Sequence, residues 1–211
     1  MNRKLKTFGV ALVAALALTA VMASAASAQF TSTSHHTILS GSQKAGTNDV
    51  YSAGSGFGAI TCENSTISGT SSATSTTEQV VTPTYTNCKD SFGRTIDPTI
   101  TATFKITWKP LFKFKFHISG HIIFHVTSGG STICTVTIGA QNEVDGGSFT
   151  NLGGTSGMEL TTHSTNIKST IEGGFFNCGT STTNATAGTF DGVAVVTGKD
   201  TSGAAVAISG D

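Results

Sequence analysis

Between Phe104 and Val126 apolar side chains recur at every second residue. They are Phe104, Ile106 and Trp108, then Phe112, Phe114, Phe116 and Ile118, then Ile122, Phe124 and Val126. A period of two belongs to a strand, whose successive side chains point to opposite faces; a helix would need spacings of three and four. The same alternation runs through Thr132 to Ile138, where Cys134, Val136 and Ile138 share one face and threonines occupy the other. Strand patterns also cover 78–85, 100–108, 112–119, 122–128, 167–171 and 190–197, with weaker ones at 37–39, 59–62, 158–161 and 206–208. Helix signals are nearly absent after residue 28. About ten short strands with turns between them predict an all-β fold, a single-domain β-sandwich or jelly-roll-like structure. Ser65 to Thr77 is almost entirely serine, threonine and glycine and reads as a long loop or an exposed edge. No internal repeat or linker is visible, so 29–211 is expected to be one domain.

The first 28 residues have the three parts of a signal peptide. Arg3, Lys4 and Lys6 give a positive start, Phe8 to Met22 is largely apolar, and Ala26-Ser27-Ala28 offers small residues for cleavage before Gln29. A membrane span would need about 20 apolar residues, and serine already appears at Ser24. No cysteine follows the cleavage position to carry a lipid, and no second long apolar run follows it. The expectation is an exported protein, in the medium or at the cell surface, with no transmembrane span in its mature part. From Gln29 onward 183 residues remain, enough for one core. They carry nine Lys and Arg against twelve Asp and Glu, which gives no reason to expect a nucleic-acid partner. Low charge and twelve phenylalanines argue against a disordered tail.

All four cysteines, Cys62, Cys88, Cys134 and Cys178, lie in this mature part. An even count in an exported chain points to disulfides, and three connectivities are open. Cys62–Cys88 with Cys134–Cys178 is favoured, because each bridge then stays within one half of the chain. The loops would enclose 25 and 43 residues, worth roughly 3.5 to 4 kcal/mol each as upper estimates. A zinc site is disfavoured, since no two cysteines have the C-x-x-C spacing.

Several segments resemble a group of uncharacterised secreted bacterial proteins. The mature start, Phe30-Thr31-Ser32-Thr33-Ser34-His35-His36-Thr37-Ile38-Leu39-Ser40-Gly41, is similar to that group's opening. Thr82-Pro83-Thr84-Tyr85-Thr86-Asn87-Cys88 is similar to its segment around the second cysteine, and Cys134-Thr135-Val136-Thr137-Ile138 and the glycine-rich approach to Cys178 also fit. Members carry two further cysteines in the central region, and this chain has neither. The resemblance implies a secreted β-rich fold and brings no activity with it.

Motifs for chemistry are weak. Gly54-Ser55-Gly56-Phe57-Gly58 has a G-x-G-x-G spacing, but a strand-like Ala59-Ile60-Thr61-Cys62 follows where a phosphate cradle needs a helix. Gly154-Thr155-Ser156-Gly157 lacks one residue of a nucleophile elbow. Glu143 with Asp145, or Glu159 with Glu172, could in principle supply a glycosidase pair. Asn64-Ser65-Thr66 and Asn184-Ala185-Thr186 match a glycosylation sequon, but the bacterial resemblance favours ordinary turn residues, and His35-His36 reads as a solvated terminal segment.

The feature that breaks the polar pattern is residues 104–126. Lys105, Lys109, Lys113 and Lys115 and then His117, His121 and His125 interleave with the apolar residues, and no acid occurs between Asp97 and Glu143. Zinc binding by the three histidines would need helical spacing, which the alternation and Gly120 oppose. A tight hairpin is expected, with 112–119 folding back on 122–128 through Ser119-Gly120-His121. Its inner face would be apolar, and its outer face would carry Lys113, Lys115, His117 and His125, with Ile123 the exception. Histidines titrate near pH 6.5, so such a patch would gain charge in acid. It is a candidate surface for an anionic glycan or a membrane headgroup. No catalytic, cofactor or metal-ligating residue is assigned. The resulting expectation is a non-enzymatic structural or binding module, with a polysaccharide hydrolase as the alternative.

Overall fold

The computed structural model describes residues 28–54, 57–173, 178 and 185–211. The proposed signal peptide lies outside them apart from Ala28, as do Ser55 and Gly56 of the glycine-rich turn and Asn184 of the second sequon. The described residues form strands and one short 3-10 turn, Gly154–Ser156. The first strands are β1 (Phe30–Ser32), β2 (Thr37–Gln43), β3 (Asp49–Ser52), β4 (Ala59–Ser71), β5 (Ser75–Thr76) and β6 (Glu78–Asp90). The central ones are β7 (Thr95–Ile100), β8 (Thr103–Lys109), β9 (Lys113–Ser119), β10 (Ile122–Ser128), β11 (Ser131–Ile138) and β12 (Gln141–Asn151). The last are β13 (Met158–Gly173), β14 (Ala185–Lys199), β15 (Ala205–Val206) and β16 (Ile208–Gly210). The chain is all-β, as its alternation predicts, with sixteen strands among the described residues where about ten were expected.

Four long strands form two adjacent pairs, β4 with β6 and β13 with β14, and the remaining wall positions are filled by shorter strands that continue each other end to end. The antiparallel register between β7–β8 and β9–β10 runs from Lys109↔Lys113 through Thr103↔Ser119 and Ile100↔Ile122 to Ile96↔Val126. Likewise β11 and β12 together face β10 and β9 on one side and β13 on the other. β14 pairs back onto β2 and β3, and both of these pair with β4. Each wall position is therefore antiparallel to the next in chain order and the circuit closes, which is the connectivity of an up-and-down barrel. A small sheet, β16–β1–β5, covers one end. There Phe30 stacks on Trp108 at 6.0 Å and Phe149 meets the same indole edge-on at 5.0 Å.

The expected hairpin across Gly120 does not form. β9 pairs with β8 and β12, β10 pairs with β7 and β11, and β9 and β10 lie in line. Gly120 kinks this long strand with φ +77°; a Cβ there would lie 2.5 Å from the Thr101 carbonyl oxygen. The alternation stays in phase through the kink, so Phe114, Phe116, Ile118, Ile122, Phe124 and Val126 all remain buried. Ser65 to Thr77 is not a loop either. Most of it belongs to β4, paired on both sides, with Ser65 and Ser71 turned inward where an apolar residue would have signalled a strand.

Both expected disulfides are present, with Cα separations of 4.0 Å for Cys62–Cys88 and 5.7 Å for Cys134–Cys178. The first joins directly opposed residues of β4 and β6; the second ties β11 to the segment after β13. Among the described residues no helix is long and apolar enough to cross a membrane.

Candidate functional site

The true reversal in the central region is the β8–β9 turn, Pro110-Leu111-Phe112. Proline has no N–H to give to a ladder, so β8 ends there. Leu111 and Phe112 then take φ values of 63° and 56°, a left-handed conformation that costs an L residue roughly 1–2 kcal/mol. The Phe112 ring lies 5.5 Å from that of Phe149, and the Phe149 N–H donates to the Phe112 carbonyl at 2.9 Å. Even so, Phe112 is 54% exposed and Leu111 is 85% exposed, and Leu152 on the adjoining β12–β13 turn is exposed too.

Lysines flank this apolar tip because the interior fixes the register. Trp108 packs near Phe114 and Phe104 stacks on Phe116 at 5.2 Å, which turns the odd-numbered residues of both strands outward. Lys109 then stands directly opposite Lys113, and Lys105 opposite His117. Opposed like charges are unfavourable on a sheet. Lys105 is relieved by Glu78 of β6 at 3.1 Å and Lys115 by Asp145 of β12 at 3.5 Å. Lys109 and Lys113 have no acidic partner within 4.0 Å among the described residues. A shallow depression of about 620 Å³ follows, lined by Lys105, Lys109, Lys115, His117, Glu78 and Asn142 among others.

Of the four residues expected to form a patch, Lys113, Lys115 and His117 share the outward face of β9. His125 is on the same long strand but twelve residues from Lys113, roughly 40 Å along it. It faces Asp97 of β7 and Thr135 of β11. The residues the sequence reading left out of the patch are Lys105 and Lys109, brought alongside by the β8–β9 pairing.

The carboxylate pairs fare differently. Glu159 and Glu172 sit near opposite ends of β13, thirteen residues and roughly 43 Å apart, so they cannot act on one bond. Glu159 is instead bound to Lys44 at 2.8 Å and Asp145 to Lys115; the side chain of Glu143 lies outside the described residues. His35 and His36 are exposed. No cluster of three or more metal-ligating side chains occurs among the described residues.

A second unusual site lies inside the barrel and was missed in the sequence. Asp49 and Tyr51 of β3 and Tyr85 of β6 are buried in the interior with Phe116 and Phe124, and the partly buried Phe104 and Phe190 pack against them. Burial holds the Asp49 carboxyl above the usual aspartate range, and the hydroxyl of Ser65 pulls the other way. Burial pushes the Tyr51 phenol up to about 12. Tyr85 is raised as well, by burial first and then by the charge of Asp49. The wall beside this site is open. β6 and β7–β8 make no rungs between Val81↔Phe104 and Cys88↔Ile96, and the gap contains Pro83 and Pro98. An outer groove of about 840 Å³ runs along it, with Glu63 and Asp97 on its margins. Glu63 is 3.6 Å from Lys89.

Comparison of the chain with protein-family models, curated proteins and solved structures returned no match.

Proposed function

We propose that this chain is an exported, non-enzymatic binding module that docks on anionic membrane surfaces through the β8–β9 tip. One observation carries the reading: two opposed lysines without acidic partners, Lys109 and Lys113, bracket Leu111 and Phe112, which project into water from a strained turn. Apolar side chains at the centre and cations at the rim match a headgroup layer, with the rings below the phosphates and the ammonium groups among them. Each lysine near an anionic leaflet contributes about 1 kcal/mol, within a Debye length of about 8 Å at physiological salt. Export is supported by the signal-like start and by the two bridges, which suit an oxidising compartment.

Co-sedimentation of the mature chain with phosphatidylglycerol vesicles and with phosphatidylcholine vesicles tests the reading. Binding should be confined to the anionic vesicles, weaken with salt, and disappear in Leu111→Ser with Phe112→Ser. Salt-sensitive binding to heparin with none to vesicles would make the partner an anionic glycan instead.

A further inference from the structure

Asp49 is 7% exposed. Among the described residues no cationic side chain forms an ion pair with it. A carboxylate in an apolar interior is costly unless a cation and hydrogen bonds accompany it. The surroundings leave room for such a cation. Two cavities of about 30 and 60 Å³ are both lined by Asp49, Tyr85, Phe104, Phe116 and Phe190. The space is maintained by a glycine: a Cβ on Gly192 of β14 would come within 2.4 Å of the Asp49 Oδ1. The buried Tyr51 hydroxyl, on the same strand, lies beside the buried Ser169 hydroxyl, and neither has a further hydrogen-bond partner.

We infer that the barrel interior binds a small protonated amine, its ammonium group paired with Asp49 and enclosed by aromatic rings. Ring faces carry negative potential and attract organic cations, most strongly when water is excluded. A hard metal ion is a poorer match, because it needs six or more oxygen ligands and most of this wall is apolar. The larger cavity is about 60 Å³, several times the roughly 10–15 Å³ that one water needs on the same kind of measure, so a small organic cation has room beside Asp49. Methylammonium is the simplest such cation. The break in the wall supplies a route, since Phe104 lines both cavities and is only partly buried, as are Pro98 and Ile100 at the gap. This inference is independent of membrane docking, which uses the outer face.

The test is a nuclear magnetic resonance titration of ¹³C-methylammonium with the intact mature chain, with potassium chloride and ¹³C-methanol as controls. The expected result is a saturable upfield shift of the methyl signal, caused by the surrounding rings, that methanol does not show and potassium does not reverse. Asp49→Asn should weaken the binding at least about tenfold. No saturable shift, an equal shift with methanol, or unchanged affinity in a folded Asp49→Asn chain would each overturn the inference. If that variant fails to fold, the contrast between methylammonium and methanol on the unaltered chain decides.

Discussion

At the β8–β9 tip two apolar side chains stand in water, whereas inside the barrel one carboxyl group stands among phenyl rings. Leu111 is 85% exposed and Asp49 7% exposed, the reverse of what each side chain favours. The chain manages the two departures differently. At the tip the exposed groups lie beyond the last rung of a hairpin, so their cost is local and the barrel behind them is unaffected. Inside, the misplaced group is part of the packing, and its cost is set by protonation and by what fills the cavities beside it. A surface site can therefore be altered with little change in stability, while an interior site cannot.

The sharpest contrast comes from an interior ring and a tip residue. Phe116→Ala empties part of the barrel and should cost about 3–5 kcal/mol in urea denaturation. Leu111→Ser should change stability by no more than about 0.5 kcal/mol, since its side chain is already solvated. Equal losses would mean that the tip is structural. Next in size is the bridge at the far end from the tip. Cys134→Ser should lower stability by about 2–4 kcal/mol and leave vesicle binding unchanged; a loss of vesicle binding would show that the two ends are coupled.

A smaller effect, with a defined pH dependence, is expected at Asp49. Its carboxyl holds a proton more tightly in the folded chain than the usual 3.8, chiefly because it is buried. Its contribution to stability is therefore greatest below that value and is lost as pH rises through the folded-state pKa. Asp49→Asn removes the ionisation, so the variant should gain on the parent chain as pH rises, by on the order of 1 kcal/mol at neutral pH. Thermal unfolding followed from pH 3.5 to 8 checks this; a difference independent of pH would mean that the carboxyl ionises as readily in the folded chain as in the unfolded one.

How far these regions could be read from the sequence follows from their contacts. The inward set from Phe104 to Val126 was visible because burial alternates strictly. The same parity holds whether the chain turns back at Gly120 or runs straight through, so alternation could not place the hairpin; Pro110 was the local sign of the real turn. β4 was obscured because its inward positions include Ser65, Gly69 and Ser71. The outward direction of Lys113, Lys115 and His117 was readable, but their neutralising partners were not. Glu78 and Asp145 arrive from strands distant in sequence, through pairing that only the closed circuit sets. Asp49 looked like any solvated acid, because its burial depends on β4, β6 and β14 closing around it.

Docking on a surface, as proposed, would give the β8–β9 tip a reason to keep an unfavourable arrangement. Lys109→Glu addresses this directly by placing an acid opposite Lys113, and the measurement is its stability at low salt alongside its binding to phosphatidylglycerol vesicles. The variant should be more stable by about 0.2–1 kcal/mol and should no longer bind the vesicles. A variant that is less stable and still binds would contradict that proposal.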